Sequence, residues 1–239
     1  MALIPEGEYI PKKKGILKTD AEKDLLEGKR RISAASQEVI LNTGKNIQDP
    51  ELRALYFGMY LSGGRISEML ALKQGDVNVE SFKLKTDIGK EVSRRAAIFN
   101  LITLKNKKRG FRLVPSPMWR PVEVEMYEHF NNIYEHRITD IFKQTIGKNR
   151  TTARIRAWQK FNDLDIKYTV MVQDLKTKQR ALQDVAFHPH LMRHFRLTHL
   201  ISLYKWDSFK LMEFAGWSNL KPASIYVNLD VSNLVQAFM

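Results

Sequence analysis

The hydrophobic period changes twice along this chain, and the order of those changes restricts the folds open to it. From residue 33 apolar side chains recur at helical spacing, with Leu52, Leu55, Tyr56, Met59 and Tyr60 on one face until Gly63-Gly64 breaks the helix. Between residues 77 and 115 the spacing shortens to alternation, over residues 82 to 84, 96 to 104 and 111 to 114, which reads as a small antiparallel sheet with residues 105 to 110 as a charged turn. Helical spacing then returns. It runs over residues 119 to 146 through Val122, Val124, Met126, Phe130, Ile133 and Tyr134, and over 151 to 161 after a break at Gly147. It continues over 190 to 204 through Leu197, Leu200, Ile201 and Tyr204, and over about 208 to 214 before Gly216. Residues 162 to 187 carry no readable period, and the chain has no internal repeat. The expected fold is mostly α with a small antiparallel β-sheet, an α+β domain.

Charge narrows the partners. The 239 residues hold 39 Lys+Arg against 26 Asp+Glu, a formal net charge of +13, so a polyanion is the expected partner. No cysteine is present, which excludes disulfides, thiolate nucleophiles and cysteine-based zinc sites. Neither a signal-peptide pattern nor a membrane span is visible, so the expectation is an intracellular, cytoplasmic protein with no membrane partner. Residues 1 to 32 are charged and rich in Pro and Gly, with Lys12, Lys13 and Lys14 in one run and Lys29, Arg30 and Arg31 in another. They read as a basic arm or linker, either lying on phosphates or solvated, ahead of a domain over residues 33 to 239.

Four side chains, Arg65, His190, Arg193 and Tyr226, stand out as chemistry. Arg65 opens a helix after the glycine pair, with Glu68 three residues on and therefore able to orient it. His190 and Arg193 are also three apart on a helix, and Tyr226 follows Trp217 in a short segment after Pro222. Two guanidiniums, an imidazole and a phenol are the parts needed for metal-free phosphoryl transfer to a protein nucleophile. His190 and His194, four apart, also have the spacing of a zinc pair, but no intervening glutamate base or clear third ligand accompanies them.

These motifs, in this order, resemble the tyrosine recombinase (phage integrase-like) family. Residues 55 to 77, LYFGMYLSGGRISEMLALKQGDV, look like its first box, and residues 104 to 115, LKNKKRGFRLVP, like its catalytic hairpin. HLMRHFRLTHL, residues 190 to 200, is similar to the second box, and LMEFAGWSNLKPASIYVNLD, residues 211 to 230, to the tyrosine box. Residues 116 to 187 match only in length and helical character. By this resemblance Arg65 and Arg193 clamp the non-bridging oxygens of a scissile phosphate, Lys105 protonates the departing 5′ oxygen, His190 handles protons, and Tyr226 is the nucleophile. Lys107, Lys108 and Arg109 share the hairpin with Lys105 and either replace it or touch phosphates, while His194 is a supporting or core histidine. Trp217 stands where many members have histidine, and its indole N–H donates a hydrogen bond but shuttles no proton.

The resemblance implies a site-specific DNA recombinase, an integrase or a resolvase, that cleaves double-stranded DNA through a 3′-phosphotyrosyl intermediate with no cofactor and no metal. It also implies a homo-oligomer, a tetramer on paired sites that is weak or monomeric when free. Relaxation of DNA in the manner of a type IB topoisomerase, or DNA binding without cutting, would use the same fold. Because only about 32 residues precede the catalytic pattern, a catalytic fragment or a reduced recombinase is expected.

Overall fold

A computed structural model describes residues 30 to 85, 89 to 103, 110 to 137, 141 to 142, 150 to 174 and 176 to 227. Its architecture is α+β, helices with two small antiparallel sheets. The N-terminal half supplies α1 (Gln37–Lys45), α2 (Pro50–Ser62) and the single turn α3 (Ile66–Met69). Asp49 starts α2 by accepting the backbone N–H groups of Glu51 and Leu52, with Pro50 at the first helical position where its missing N–H costs nothing. This helix is the centre of the core: Leu52, Leu55, Tyr56, Phe57, Met59 and Tyr60 are all buried. It is apolar around most of its circumference because other elements enclose it.

Strands β2 (Val77–Lys85), β3 (Glu91–Thr103) and β4 (Gly110–Pro117) follow as an antiparallel sheet in that order. Ala97, Phe99, Leu101 and Val114 face the core, whereas Phe111 and Leu113 point outward. The remaining elements are α4 (Pro121–Tyr134), α5 (Arg150–Asp163), β5 (Lys167–Asp174), β6 (Arg180–Ala186), α6 (Pro189–Ser202), α7 (Ser208–Ala215) and α8 (Lys221–Val227). Helix α4 ends at Tyr134, earlier than the periodicity over residues 119 to 146 suggests, and residues 141 and 142 form a turn.

A second sheet, β1 (Arg30–Ile32) with β5 and β6 in the order β1-β5-β6, occupies the stretch whose period was unreadable and the end of the segment assigned to the arm. Tyr168, Val170 and Val172 alternate inward along β5, and Ile32 is buried against them. The hairpin turn hides this from the sequence because it contains neither glycine nor proline. Asp174 Oδ1 instead accepts the backbone N–H groups of Lys176 and Thr177, and Lys178 takes a positive φ of 60°.

Helix α6 is held in register by a buried polar network. Arg196, fully buried, donates to Glu123 of α4 and to Ser116 Oγ of β4 at 3.2 Å, and lies over the Tyr60 ring at 5.3 Å. Gln37 of α1 donates to Tyr60 and Glu123, Tyr204 donates to Glu123, and His199 Nδ1 meets the Tyr60 hydroxyl at 2.7 Å. A paired charge this deep adds little net stability, but losing one partner costs about 3 to 5 kcal/mol, which fixes where α6 sits and hence where Arg193 points. No described helix is long and apolar enough to cross a membrane.

Candidate active site

Arg65 sits immediately before α3 with extended backbone, and Glu68 holds it at both ends. One carboxylate oxygen of Glu68 accepts the Arg65 backbone N–H at 2.8 Å and the other accepts Nη1 at 2.9 Å. The guanidinium keeps 35% of its side-chain surface while Glu68 keeps 2%. Arg112 of β4 enters the same carboxylate through Nη2 at 2.8 Å and donates Nη1 to the Phe214 carbonyl at the end of α7. Burial raises the Glu68 carboxyl, but Arg112, by charge and hydrogen bond, together with Arg65 brings it below its ordinary value. Arg112 itself is lowered by burial against the pull of Glu68.

Arg193, on the second turn of α6, is 2% exposed and crosses between two helix ends. Its Nη1 donates to the Gly63 carbonyl at 2.6 Å and its Nη2 to the Ala215 carbonyl at 2.5 Å. Both carbonyls belong to C-terminal turns, where helix backbone groups lack internal partners and the dipole favours a cation. Gly63 and Gly216 make these turns possible: they adopt left-handed φ of 55° and 65°, and a Cβ at either would approach within 2.8 Å of Phe214 or 2.9 Å of Arg112. Burial, then the charges of Arg112 and Arg65, push the Arg193 guanidinium down to about 9, still protonated at neutral pH.

Beyond Gly216 the chain brings the half-buried Trp217 under Arg193, whose guanidinium carbon lies 5.7 Å from the ring centroid. Trp217 stacks on Tyr226 of α8 at 5.8 Å and 24°, and the His194 ring also meets Tyr226, at 5.3 Å. The phenol is pushed up to about 12 by burial, against the lowering effect of Arg193. His194 is buried, and its Nε2–H donates to the Ile32 carbonyl at 2.6 Å, tying α6 to β1. Burial lowers the His194 imidazole. His190 is exposed in the first turn of α6, in electrostatic contact with the capping residue His188. Among the described residues no group of three or more metal-ligating side chains gathers.

Arg65, Glu68, Arg193, His194, Trp217 and Tyr226 therefore form one connected cluster through direct contacts or neighbouring charge, whereas His190 lies exposed one turn before Arg193 on α6, beside His188. Lys105, Lys107, Lys108 and Arg109, and Lys12, Lys13 and Lys14, lie outside the described residues. Sequence reasoning passed over Arg112. The available signal was its position: in FRLVP it shares a strand face with Val114, so a charge points inward where the pattern calls for an apolar residue. Within the cluster Arg65 keeps part of its guanidinium exposed, both outer nitrogens of the buried Arg193 are on backbone carbonyls, and the Tyr226 phenol stacks on the indole beneath Arg193.

No protein-family profile matches the chain. It is 24% identical over 204 residues to tyrosine recombinase XerC of Histophilus somni (strain 2336), which covers 84% of this chain and 57% of the relative. In fold it is similar to a XerH site-specific recombinase crystallised with its difH substrate in a pre-cleavage complex, with a TM-score of 0.50, 15% identity, and 87% of this chain against 53% of that one covered. The chain thus spans little more than half the length of these relatives, and over most of its own length it is distantly similar to tyrosine recombinases in sequence and in fold.

Proposed function

We propose that this chain is the catalytic part of a site-specific DNA recombinase, an integrase or a resolvase, that cuts and rejoins duplex DNA through Tyr226. The observation that carries the reading is the run of contacts from Arg193 to Trp217 to Tyr226, which sets the phenol beside a buried guanidinium with Arg65 as a second cation nearby.

In the proposed reaction Arg65 and Arg193 bind the non-bridging oxygens of the scissile phosphate. The Tyr226 oxygen attacks phosphorus, forming a 3′-phosphotyrosyl bond as the bond to the 5′ oxygen breaks. Lys105 supplies the proton that the departing 5′ oxygen takes up. Tyr226 surrenders its proton, with His190 as the acceptor, because at about 12 the buried phenol is not ionised at neutral pH without help. Attack of a 5′ hydroxyl on the phosphotyrosine reverses these steps and seals a strand. Trp217 packs the nucleophile and has an indole N–H for the phosphate. Lys107, Lys108, Arg109 and the basic arm follow the DNA backbone, and paired sites bring four copies together.

The test uses a random-sequence duplex pool labelled at either end of one strand. Label at the 5′ end should travel with denatured protein, and label at the 3′ end should leave on a fragment with a free 5′ hydroxyl. The reverse polarity overturns the chemistry. Exchange between two captured sites on one plasmid distinguishes a recombinase from a DNA-relaxing enzyme.

A further inference from the structure

Arg112 has no part in the reaction as written, yet it is built into the site more deeply than Arg65. It is 8% exposed, and its two outer nitrogens hold the Glu68 carboxylate of the α3 turn and the Phe214 carbonyl at the end of α7. Its side chain also fills the space beside Gly216, the residue before Trp217. One guanidinium on β4 thereby joins the carboxylate that orients Arg65 to the turn that presents Trp217. Among the described residues its Nε–H has no acceptor, so the outer nitrogens carry its hydrogen bonds.

The geometry points to Arg112 as a positioning residue: it keeps the buried Glu68 carboxylate in place and charged, and through Glu68 it fixes the direction of the Arg65 guanidinium. This inference rests on the reading of Arg65 as a phosphate ligand. The groups facing Glu68 are Arg65 at the start of its own turn, Arg112 from β4 and, at longer range, Arg193 from α6. A carboxyl with 2% exposure stays ionised only while cations offset its lost hydration, and Arg112 is the largest of these influences. Without it, Glu68 takes up a proton as pH falls, and a neutral acid no longer anchors the Arg65 fork.

The experiment uses the full chain as wild type, Arg112→Gln, Arg112→Lys and Glu68→Gln, with two readouts between about pH 5.5 and about pH 8.5. The first needs no DNA: the side-chain Nε–H resonance of Arg65 in protein carrying 15N-arginine, assigned by its loss in Arg65→Lys. It should hold its position in the wild type and in Arg112→Lys, which keeps a cation beside Glu68. In Arg112→Gln it should shift and broaden progressively as pH falls, and in Glu68→Gln it should be displaced at every pH. The second is the rate of covalent adduct formation on DNA already bound, which Arg112→Gln should lower about tenfold or more at the acid end and less at the alkaline end. An Arg65 resonance in Arg112→Gln identical to wild type at each pH overturns the inference. So does an adduct rate reduced equally at all pH values and equally in Arg112→Lys, which marks a strand-to-helix brace. If Arg112→Gln does not fold, Glu68→Gln decides, because an Arg65 resonance left in place by that change removes the link through Glu68. Resonances that behave as expected in a chain that forms no adduct leave the inference standing and overturn the recombinase reading instead.

Discussion

If Arg65 and Arg193 both bind the scissile phosphate as proposed, Arg65→Lys and Arg193→Lys should be equally poor at cleavage and very different in stability. Arg193 donates to the carbonyls of Gly63 and Ala215 from a site with 2% exposure. A lysine ammonium can serve one of these carbonyls, and the other is left buried without its donor, at about 1 to 3 kcal/mol. Burial and the charges of Arg112 and Arg65, which already lower the guanidinium, act on the more easily deprotonated lysine as well. A total loss of about 2 to 4 kcal/mol lowers Tm by roughly 5 to 12 °C for a chain of this size. Arg65, by contrast, has 35% of its side chain exposed and, among the described residues, one side-chain ion pair, while its backbone bond to Glu68 survives substitution. Arg65→Lys should cost less than about 1 kcal/mol and move Tm by no more than about 3 °C. Both variants should slow covalent adduct formation on bound DNA by about 100-fold or more, since a point charge replaces a planar fork. Calorimetric melts without DNA and single-turnover cleavage separate the two effects. Equal shifts in Tm, or an Arg193→Lys variant that melts like the wild type, would refute the double carbonyl tie.

His188 and His199 are each pushed down to about 3, in both cases first by burial. Between about pH 6.5 and pH 3 the unfolded chain therefore binds protons that the folded chain does not, so stability should fall with acid by up to about 1.4 kcal/mol per pH unit for each histidine. Urea midpoints against pH should show this, with His199→Gln giving a shallower slope; an unchanged slope removes His199 from the account. For Lys105, replacement by alanine should abolish cleavage of ordinary DNA but spare a substrate with sulfur at the 5′ bridging position, because a thiolate leaves without a proton. Rescue of Lys107→Ala or Lys108→Ala in its place moves the proton to another residue of the hairpin.

The longer helices of this fold were legible because they carry their own signal, such as the apolar face ending at Gly63-Gly64, or Leu197, Leu200 and Ile201 ending α6, whereas the seven-residue α8 that carries Tyr226 is too short to show a period. Sheet β2-β3-β4 was legible in part from alternation alone. The hairpin β5-β6 was not, because an aspartate side chain and a positive-φ lysine form its turn. Strand β1 escaped because three residues in a basic run become a strand only when β5 is there to pair with them. Around the candidate site, Glu68 could be matched to Arg65 by helix geometry, whereas its second partner, Arg112, comes from 44 positions away. That pairing depends on how β4 packs against α3 and α7, which no local period records. The unusual burial of Arg193, with its outer nitrogens on two helix ends, is likewise a property of the assembled fold.

The most direct test of the central claim is to map the covalent DNA linkage. Wild type and Tyr226→Phe are incubated in chelator with a random-sequence duplex pool, denatured, digested and read by mass spectrometry. Phenylalanine keeps the stack on Trp217 and the tilted contact with His194 and removes only the phenolic oxygen. The wild type should yield a nucleotide-bearing peptide containing Tyr226, and the variant no adduct while it still binds DNA and melts within a few degrees of the wild type. An undiminished adduct in Tyr226→Phe, a linkage on another residue, or cleavage that appears only when a metal ion is restored would contradict the proposed reaction.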